Sequence, residues 1–245
     1  MAEVDVSAGR ASPGSTRQHQ LTLAVQLRDE ATLENFLPAP AVQPLLGALR
    51  GLTAPAGEDM LFLHGADGSG KSHLLQACCH LAGAGALYLP LAELVQYPAD
   101  EVLQGVEALD LVCLDDVHSV LGNDSWELAL FNLYNRALQQ NCKLLIAANA
   151  APRALAVDLA DLRSRLSWGV VFQLASADDE GKAAILQFRA SRRGLSLSAE
   201  VASYIVSRAP RAMGQLLKLL DILDQASLAE QRSLSIPFVK QALGW

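Results

Sequence analysis

One segment of the sequence has the residue types and spacing of a phosphate-binding loop. Residues 65–72 read Gly-Ala-Asp-Gly-Ser-Gly-Lys-Ser, which matches the pattern GxxxxGK[ST] in full. Glycines let backbone N–H groups turn toward phosphates, the lysine reaches the terminal phosphates, and the final hydroxyl ligates Mg²⁺. The sequence therefore predicts a nucleotide site with Mg²⁺. Its predicted nucleotide contacts are Gly65, Ala66, Asp67, Gly68, Ser69, Gly70, Lys71 and Ser72.

Two carboxylates, Asp115 and Asp116, follow a second apolar segment, Leu109–Leu114. A phosphate loop needs an acidic residue at the end of a neighbouring strand to hold Mg²⁺ through water. We assign this role to Asp115, together with Ser72, and expect Asp116 to polarise the attacking water. The alternative is an aspartate pair that only caps a loop.

Further polar residues stand beside two other apolar runs. Asn149 follows Lys143–Ala148 and is expected to orient the attacking water, with a turn-forming asparagine as the alternative. Arg163 and Arg165 precede the last apolar run. A guanidinium at a domain edge can reach the γ-phosphate of a neighbouring subunit as an arginine finger, whereas the alternative is an exposed helical arginine paired with a nearby aspartate.

The elements that must position these residues alternate between strands and helices as far as residue 174. Short apolar runs bounded by turn residues predict strands, and the segments between them have helical periodicity. This alternation is typical of a parallel sheet covered by helices on both faces. The predicted strands are Met60–His64, Ala86–Leu89, Asp110–Leu114, Lys143–Ala148 and Val170–Leu174, and the predicted helices are Lys71–Leu81, Ala99–Ala108 and Ser125–Gln139.

After residue 174 the strands stop, and helical periodicity continues to the end of the sequence. We therefore predict an α/β nucleotide-binding domain over residues 26–175 and a small all-helical lid subdomain over residues 176–245. Residues 1–19, rich in Ser, Gly, Ala and Pro, predict a disordered tail. The predicted lid helices are Asp178–Arg192, Ala199–Arg208, Ala212–Leu228 and Ser235–Leu243.

Composition restricts the class of protein. The 245 residues are 51% apolar and 18% charged, which is typical of a globular chain. A net charge of −7 gives no support for a nucleic-acid-binding surface. The absence of long apolar runs and of a secretory signal predicts a cytoplasmic protein with no membrane partner. We expect buried, reduced thiols at Cys78, Cys79, Cys113 and Cys142.

Over residues 20–245 the sequence resembles the DnaA-related AAA+ proteins. The resemblance is closest to the branch that regulates DnaA and lacks its DNA-binding domain. It implies an AAA+ phosphate-loop domain, built on a five-stranded parallel sheet, followed by a helical lid. The segments that carry it are Ser72–Leu75, Leu111–Asp115, Leu130–Arg136, Asp161–Gly169, Ala226–Ser227 and Ser235–Lys240.

The resemblance implies control of the start of chromosome replication. In this branch, a nucleotide-bound regulator is tethered to the replication sliding clamp, the β subunit of DNA polymerase III. It offers an arginine finger, here Arg165, to the ATP of DnaA, whose hydrolysis prevents re-initiation. The implied clamp-binding motif lies in residues 20–25, although Ala24 stands where the family often has proline. The predicted clamp contacts are Gln20, Leu21, Thr22 and Leu23.

The remaining implications concern ligands and partners. The bound nucleotide is ADP or ATP with Mg²⁺, with Asn35, Phe36 and the lid beside the adenine. DnaA and the clamp are the expected partners, and the clamp would associate the protein with the bacterial nucleoid. The sequence ends after the lid, at Trp245, so we expect no direct sequence-specific DNA binding. Self-association into a homo-oligomer is the remaining partnership that the resemblance allows.

One family residue is missing. The lid arginine that contacts phosphate within the same chain normally follows Met213, and this position is Gly214. Its loss predicts an activator of DnaA's hydrolysis rather than an efficient ATPase. Two alternatives remain, namely a DnaA-like loader or adaptor that recruits replication factors without stimulating hydrolysis, and a self-contained ATPase. Lys71, Asp115 and Asp116 support the second.

Overall fold

The apolar runs that were predicted as strands pair into a parallel sheet. The computed structural model describes residues 27–245, so the predicted tail over residues 1–19 and the predicted clamp motif over residues 20–25 lie outside the described residues. The strands are β1 (Met60–His64), β2 (Ala86–Pro90), β3 (Leu111–Asp115), β4 (Lys143–Ala148) and β5 (Val170–Gln173). Their order is β2-β3-β4-β1-β5, with every neighbouring pair parallel. The predicted AAA+ sheet is confirmed.

Successive strand residues point to opposite faces of the sheet, and helices cover both faces. Leu61 and Leu145 pack on the face covered by the first two helices, whereas Phe62 and Ile146 pack on the face covered by the next four. The helices are α1 (Gln43–Arg50), α2 (Lys71–Ala82), α3 (Leu91–Leu94), α4 (Ala99–Leu103), α5 (Asp124–Gln140) and α6 (Ala160–Leu166). The order of strands brings the carboxyl ends of β1, β4 and β3 side by side.

The last four helices form a lid with a hydrophobic core of its own, centred on buried residues such as Leu186, Leu216 and Phe238. The N-terminus of the last helix is capped by Ser235, whose hydroxyl accepts a hydrogen bond from the backbone N–H of Phe238. The helices are α7 (Asp179–Arg192), α8 (Ala199–Arg208), α9 (Met213–Glu230) and α10 (Ile236–Leu243). The predicted helical lid is confirmed.

One predicted helix, Ala99–Ala108, is wrong in its second half. The helix ends at Leu103 because Gln104 is extended and Gly105 has a φ of +75°. A 3-10 turn, Val106–Ala108, follows. Glycine tolerates the left-handed region without steric cost, so it ends the helix where periodicity alone predicted continuation.

Two short helices, α3 and α6, were not predicted as elements. The cysteines are free and buried, as expected, at Cys78, Cys79, Cys113 and Cys142. Over residues 27–245, the structure contains no helix with the length and apolar content to cross a membrane.

Candidate nucleotide-binding site

The phosphate loop connects β1 to α2 at the carboxyl edge of the sheet. The backbone N–H of Gly65 donates to the carbonyl of Ala148, 3.3 Å away. A Cβ atom on Gly65 would lie 2.2 Å from the carbonyl oxygen of Leu174, so no other residue fits there. Gly70 has a φ of +101° immediately before α2. The two glycines therefore let the chain turn closely between the strand and the helix, as the motif requires.

Lys71 is held under the loop rather than free in solvent. The side chain is buried, and its Nζ donates to the carbonyls of Gly65 at 2.8 Å and Ala66 at 3.1 Å. The hydroxyl of Ser69 is buried and has no hydrogen-bond partner among residues 27–245. A buried unpartnered hydroxyl in a cationic loop fits a bound phosphate, because it needs a polar partner.

A cavity of about 340 Å³, which we call the phosphate cavity, opens beside this loop. It brings together the loop, the residue after β3, the start of α9, and the N-terminal segment that contains Arg28 and Glu30. Within it, Asp116 and Ser72 supply oxygen atoms of the kind that Mg²⁺ prefers. Its lining is formed by Arg28, Glu30, Asp67, Gly68, Gly70, Lys71, Ser72, His73, Asp116, Met213, Gly214 and Leu217.

Asp115, the last residue of β3, is almost completely buried. Its Oδ2 accepts a 2.7 Å hydrogen bond from the hydroxyl of Tyr88, and its Oδ1 accepts one of 3.0 Å from the backbone N–H of Asp116. Burial and the charge of Asp115 raise the pKa of Tyr88, so this hydroxyl stays a donor. Asp115 is thus fixed in place beside Asp116, but the described residues that line the cavity do not include it.

Asp116 lines the cavity directly from a left-handed backbone conformation with a φ of 52°. Burial, followed by the neighbouring charge of Asp115, raises the pKa of its carboxyl group. A raised pKa suits a group that accepts a proton from water. Asn149 is exposed at the end of β4, between β3 and β1. The described residues that line the cavity do not include Asn149.

A second cavity, of about 390 Å³, adjoins the phosphate cavity and has a mainly apolar lining. We call it the apolar cavity. His73, Gly68 and Gly70 line both cavities. The walls of the apolar cavity come from the phosphate loop with His73, the segment at Asn35 and Phe36, the residues after β5, and the lid helices α7 and α9. An apolar cavity of this volume next to a phosphate loop has the size and chemistry to take a heterocyclic base.

His73 joins the two cavities and is uncharged at neutral pH. Burial lowers the pKa of its imidazole to about 4, although a hydrogen bond to the carbonyl of Thr32 opposes this shift. The Nε2–H donates to that carbonyl over 2.8 Å, and the ring centroid lies 5.7 Å from that of Phe36. The pair of Phe36 and His73 forms one wall of the apolar cavity.

Arg163 and Arg165 lie on α6, away from the described lining of both cavities. The guanidinium carbon of Arg165 is 4.3 Å from the ring centroid of Trp168, and this ring is 64% exposed. Arg163 donates to the carbonyl of Val157. Within residues 27–245, neither arginine forms an ion pair, so the alternative pairing with Asp158 or Asp161 is not present.

Glu127 fixes the beginning of α6. This buried carboxylate accepts hydrogen bonds from the backbone N–H groups of Gly122, Asp158 and Leu159, at 2.8, 3.0 and 2.6 Å. Burial alone would raise its pKa, but these bonds and the charge of Arg163 outweigh burial and lower the pKa. Glu127 thereby anchors the helix that carries both arginines.

Comparison with known proteins places this site in a family. Residues 91–173 match the family model "Bacterial DnaA ATPase domain", and residues 179–243 match the model "Hda, lid domain". An uncharacterised protein from Haemophilus influenzae is 45% identical over 228 residues, which cover 91% of this chain and 98% of that protein. The chain belongs to the DnaA-related AAA+ proteins.

Solved structures share the fold of this DnaA-related protein at low sequence identity. Domain III of the Thermotoga maritima replication initiation protein DnaA matches with a TM-score of 0.71 at 21% identity, over 90% of this chain and 98% of that one. AMPPCP-bound DnaA from Aquifex aeolicus matches with a TM-score of 0.68 at 20% identity, over 83% and 68%. The Thermotoga maritima RuvB branch migration motor gives 0.65 at 16% identity, over 87% and 71%.

Sequence reasoning missed several residues of the DnaA-related site. Arg28 and Glu30 line the phosphate cavity from a segment with no motif, and only the resemblance pointed to Asn35 and Phe36. Trp168 was part of a recognised segment, but its contact with Arg165 was not predicted. The spacing of Trp168 three residues after Arg165, at a helix end, was the one available signal.

Proposed function

We propose that this chain is an Hda-type regulator of replication initiation, which stimulates hydrolysis of ATP bound to DnaA. The observation that carries the proposal is the placement of Arg165. Its guanidinium stacks on an exposed tryptophan, outside the described lining of the chain's own nucleotide cavities. An arginine in this position is available to a neighbouring AAA+ subunit and can serve as a finger in trans.

The chain's own nucleotide has a supporting function in this proposal. The adenine of ADP or ATP occupies the apolar cavity, and Lys71 and the loop N–H groups bind the phosphates. Ser72, and Asp115 through water, would hold Mg²⁺, which would neutralise phosphate charge. Asp116 and Asn149 are assigned to the attacking water. The AMPPCP-bound DnaA structure, which shares the fold, supports nucleotide binding here.

In this proposal, the chain hydrolyses its own bound ATP slowly because α9 presents no cation at Gly214. This glycine lines the phosphate cavity, where a lid arginine would otherwise reach the phosphates. The bound nucleotide then serves to hold the lid and the sheet domain in one arrangement. ADP is sufficient for that function.

The partners of the proposal are DnaA and the sliding clamp. Gln20–Leu23 attach the chain to the clamp loaded on DNA, which concentrates the regulator where DnaA must be switched off. The sequence Gln-Leu-Thr-Leu, with its alternating apolar side chains, supports this assignment. Replacing Gln20, Leu21 and Leu23 with alanine should abolish clamp binding and leave ADP binding intact.

The deciding experiment measures conversion of DnaA-bound ATP to ADP, with clamp loaded on DNA and saturating regulator. Arg165→Ala and Arg165→Lys should each lose roughly 10³–10⁵-fold in stimulation, because a lysine lacks the planar fork of the guanidinium. Both should keep ADP and clamp affinity. Arg163→Ala, on the same helix, is the neighbouring control and should lose less.

Undiminished stimulation by Arg165→Ala would overturn the finger assignment. If the parent chain bound DnaA and the clamp without any stimulation, the adaptor function would replace the proposal. Efficient hydrolysis by the isolated chain would instead support a self-contained ATPase.

A further inference from the structure

The phosphate cavity contains a second cation besides Lys71. Arg28 lines this cavity, and so does Gly214, where the family's lid arginine is missing. The two residues are far apart in the sequence but border the same cavity. The other basic side chain of the lining is His73, whose pKa of about 4 leaves it neutral. Among the described lining residues, Arg28 and Lys71 are therefore the charged groups that can attract phosphate.

One residue, Gln76, holds both the backbone and the side chain of Arg28. Its backbone N–H and its Nε both donate to the Oε1 of Gln76, at 3.0 and 3.3 Å. Gln76 is a buried residue of α2, the helix that begins with Lys71. These two bonds hold the arm of the arginine and leave its two terminal nitrogens without a hydrogen-bond partner among residues 27–245. The charge of Arg28 also reaches His73, whose pKa it helps to lower.

Glu30, the acidic residue of this segment that lines the cavity, does not cancel this charge. Its Oε2 is bound by Arg189 at 2.6 Å and Arg193 at 3.2 Å. Two guanidinium groups of the lid thus neutralise Glu30. Arg28 has no ion pair within the described part of the chain, so its charge remains directed at the cavity.

We propose that Arg28 is a phosphate-binding residue, which supplies from the N-terminal segment the cation that the lid lacks at Gly214. Its terminal nitrogens bind the β-phosphate of ADP opposite Lys71, and a planar guanidinium can donate two hydrogen bonds to one phosphate. The inference rests on nucleotide binding as set out in the proposed function. It assigns to this chain a phosphate contact outside the phosphate loop.

Arg28 also connects the phosphates to the interior of the sheet domain. The side chain of Gln76 is close enough to Tyr88 to lower the pKa of its hydroxyl, which burial and Asp115 raise, and this hydroxyl donates to Asp115. A row of neighbouring polar side chains, Gln76 and Tyr88, therefore lies between Arg28 and Asp115. Because Gln76 binds the Nε of Arg28, movement of Arg28 onto a phosphate is coupled to the orientation of Gln76.

The test compares ADP with AMP, which lacks the β-phosphate. Calorimetry on the full chain should show about tenfold weaker ADP binding by Arg28→Ala, the expected loss of one charge-assisted contact. AMP affinity should change little, so the preference for ADP over AMP should shrink. Arg28→Lys should recover part of the loss. Arg192→Ala removes an exposed lid cation outside the cavity and should leave the preference unchanged.

A second-site rescue separates a phosphate contact from a structural function. In Arg28→Ala, the added change Gly214→Arg should restore ADP affinity, because no atom lies within 4 Å of a Cβ built at Gly214. An unchanged ADP-to-AMP preference in Arg28→Ala would overturn this inference alone, while ADP binding by the parent still supported the proposed function. Absence of ADP binding by the parent chain would overturn both.

Discussion

The guanidinium carbon of Arg165 lies 4.3 Å from the ring centroid of Trp168, at the end of α6. The same carbon lies 5.3 Å from the ring of Tyr134 on α5. Cation–π contacts at exposed sites contribute about 0.5–1 kcal/mol each. Two rings therefore limit the orientations of an arginine that would otherwise be a free surface side chain, and such restriction lowers the entropy lost on reaching a partner.

The first prediction follows from this contact. Trp168→Ala should reduce stimulation of DnaA's ATP hydrolysis by about 3–10-fold, because Arg165 loses its stacking surface. Trp168→Phe keeps an aromatic face and should retain most of the activity. Since Trp168 is 64% exposed, neither variant should change thermal stability by much. A loss as large as that of Arg165→Ala would show instead that the tryptophan itself contacts DnaA.

The second prediction concerns the anchor of α6. Glu127→Gln should lower the free energy of unfolding by about 2–3 kcal/mol at pH 7, because an NH₂ group then faces backbone N–H donors. Denaturant unfolding of both proteins measures this difference. The control is Glu101→Gln, which changes an exposed carboxylate on α4 and should have little effect.

The difference in the free energy of unfolding between the parent and Glu127→Gln should depend on pH with a defined sign. The pKa of Glu127 is lowered by folding, so the carboxylate stabilises the native state above its ordinary pKa of 4.5, and this contribution is lost as the pH falls through the lower folded value. The gap between parent and Glu127→Gln should therefore be largest near neutrality and close in acid. A gap that widens toward acid would contradict the assigned hydrogen bonds.

The third prediction concerns the contact between the N-terminal segment and the lid. Arg189 is almost fully buried and pairs with Glu30 over 2.6 Å. Glu30→Gln leaves this guanidinium without a counter-charge, which should destabilise the protein by about 1–3 kcal/mol after allowance for the exposure of Glu30. Nucleotide affinity should fall too, because Arg189 lines the apolar cavity. Thermal unfolding with and without ADP measures both effects.

The matched control for Glu30 is an exposed ion pair in the lid. Glu230 contacts Arg232 at 3.0 Å, and neither side chain of this pair is buried, so Glu230→Gln should change stability by less than about 0.5 kcal/mol. If Glu30→Gln and Glu230→Gln lowered stability equally, the burial of Arg189 would add nothing to the strength of its ion pair with Glu30.

The sequence predicted those parts of the fold that depend on local pattern. Buried strands such as Lys143–Ala148 are continuous apolar runs, and the phosphate loop has fixed spacing, so both could be located without a structure. The break at Gly105 could not, because periodicity does not report a single residue's φ angle. The ion pair of Glu30 with Arg189 joins residues far apart in the chain, and no local pattern encodes such a contact.

The last prediction tests the missing lid arginine. Gly214 lines the phosphate cavity near the start of α9, and a Cβ atom built there meets no atom within 4 Å. Gly214→Arg should therefore place a guanidinium at the phosphates and raise the chain's own ATP turnover by about tenfold or more, since arginines that reach the γ-phosphate strongly stabilise the transition state. Gly214→Ala is the control, because it gives the same gain in helix propensity without the charge and should leave turnover unchanged. Single-turnover hydrolysis by the isolated protein provides the measurement. If Gly214→Arg binds ATP more tightly but turns over no faster, the slow hydrolysis has its cause in the placement of Asp116 and Asn149 rather than in the lid.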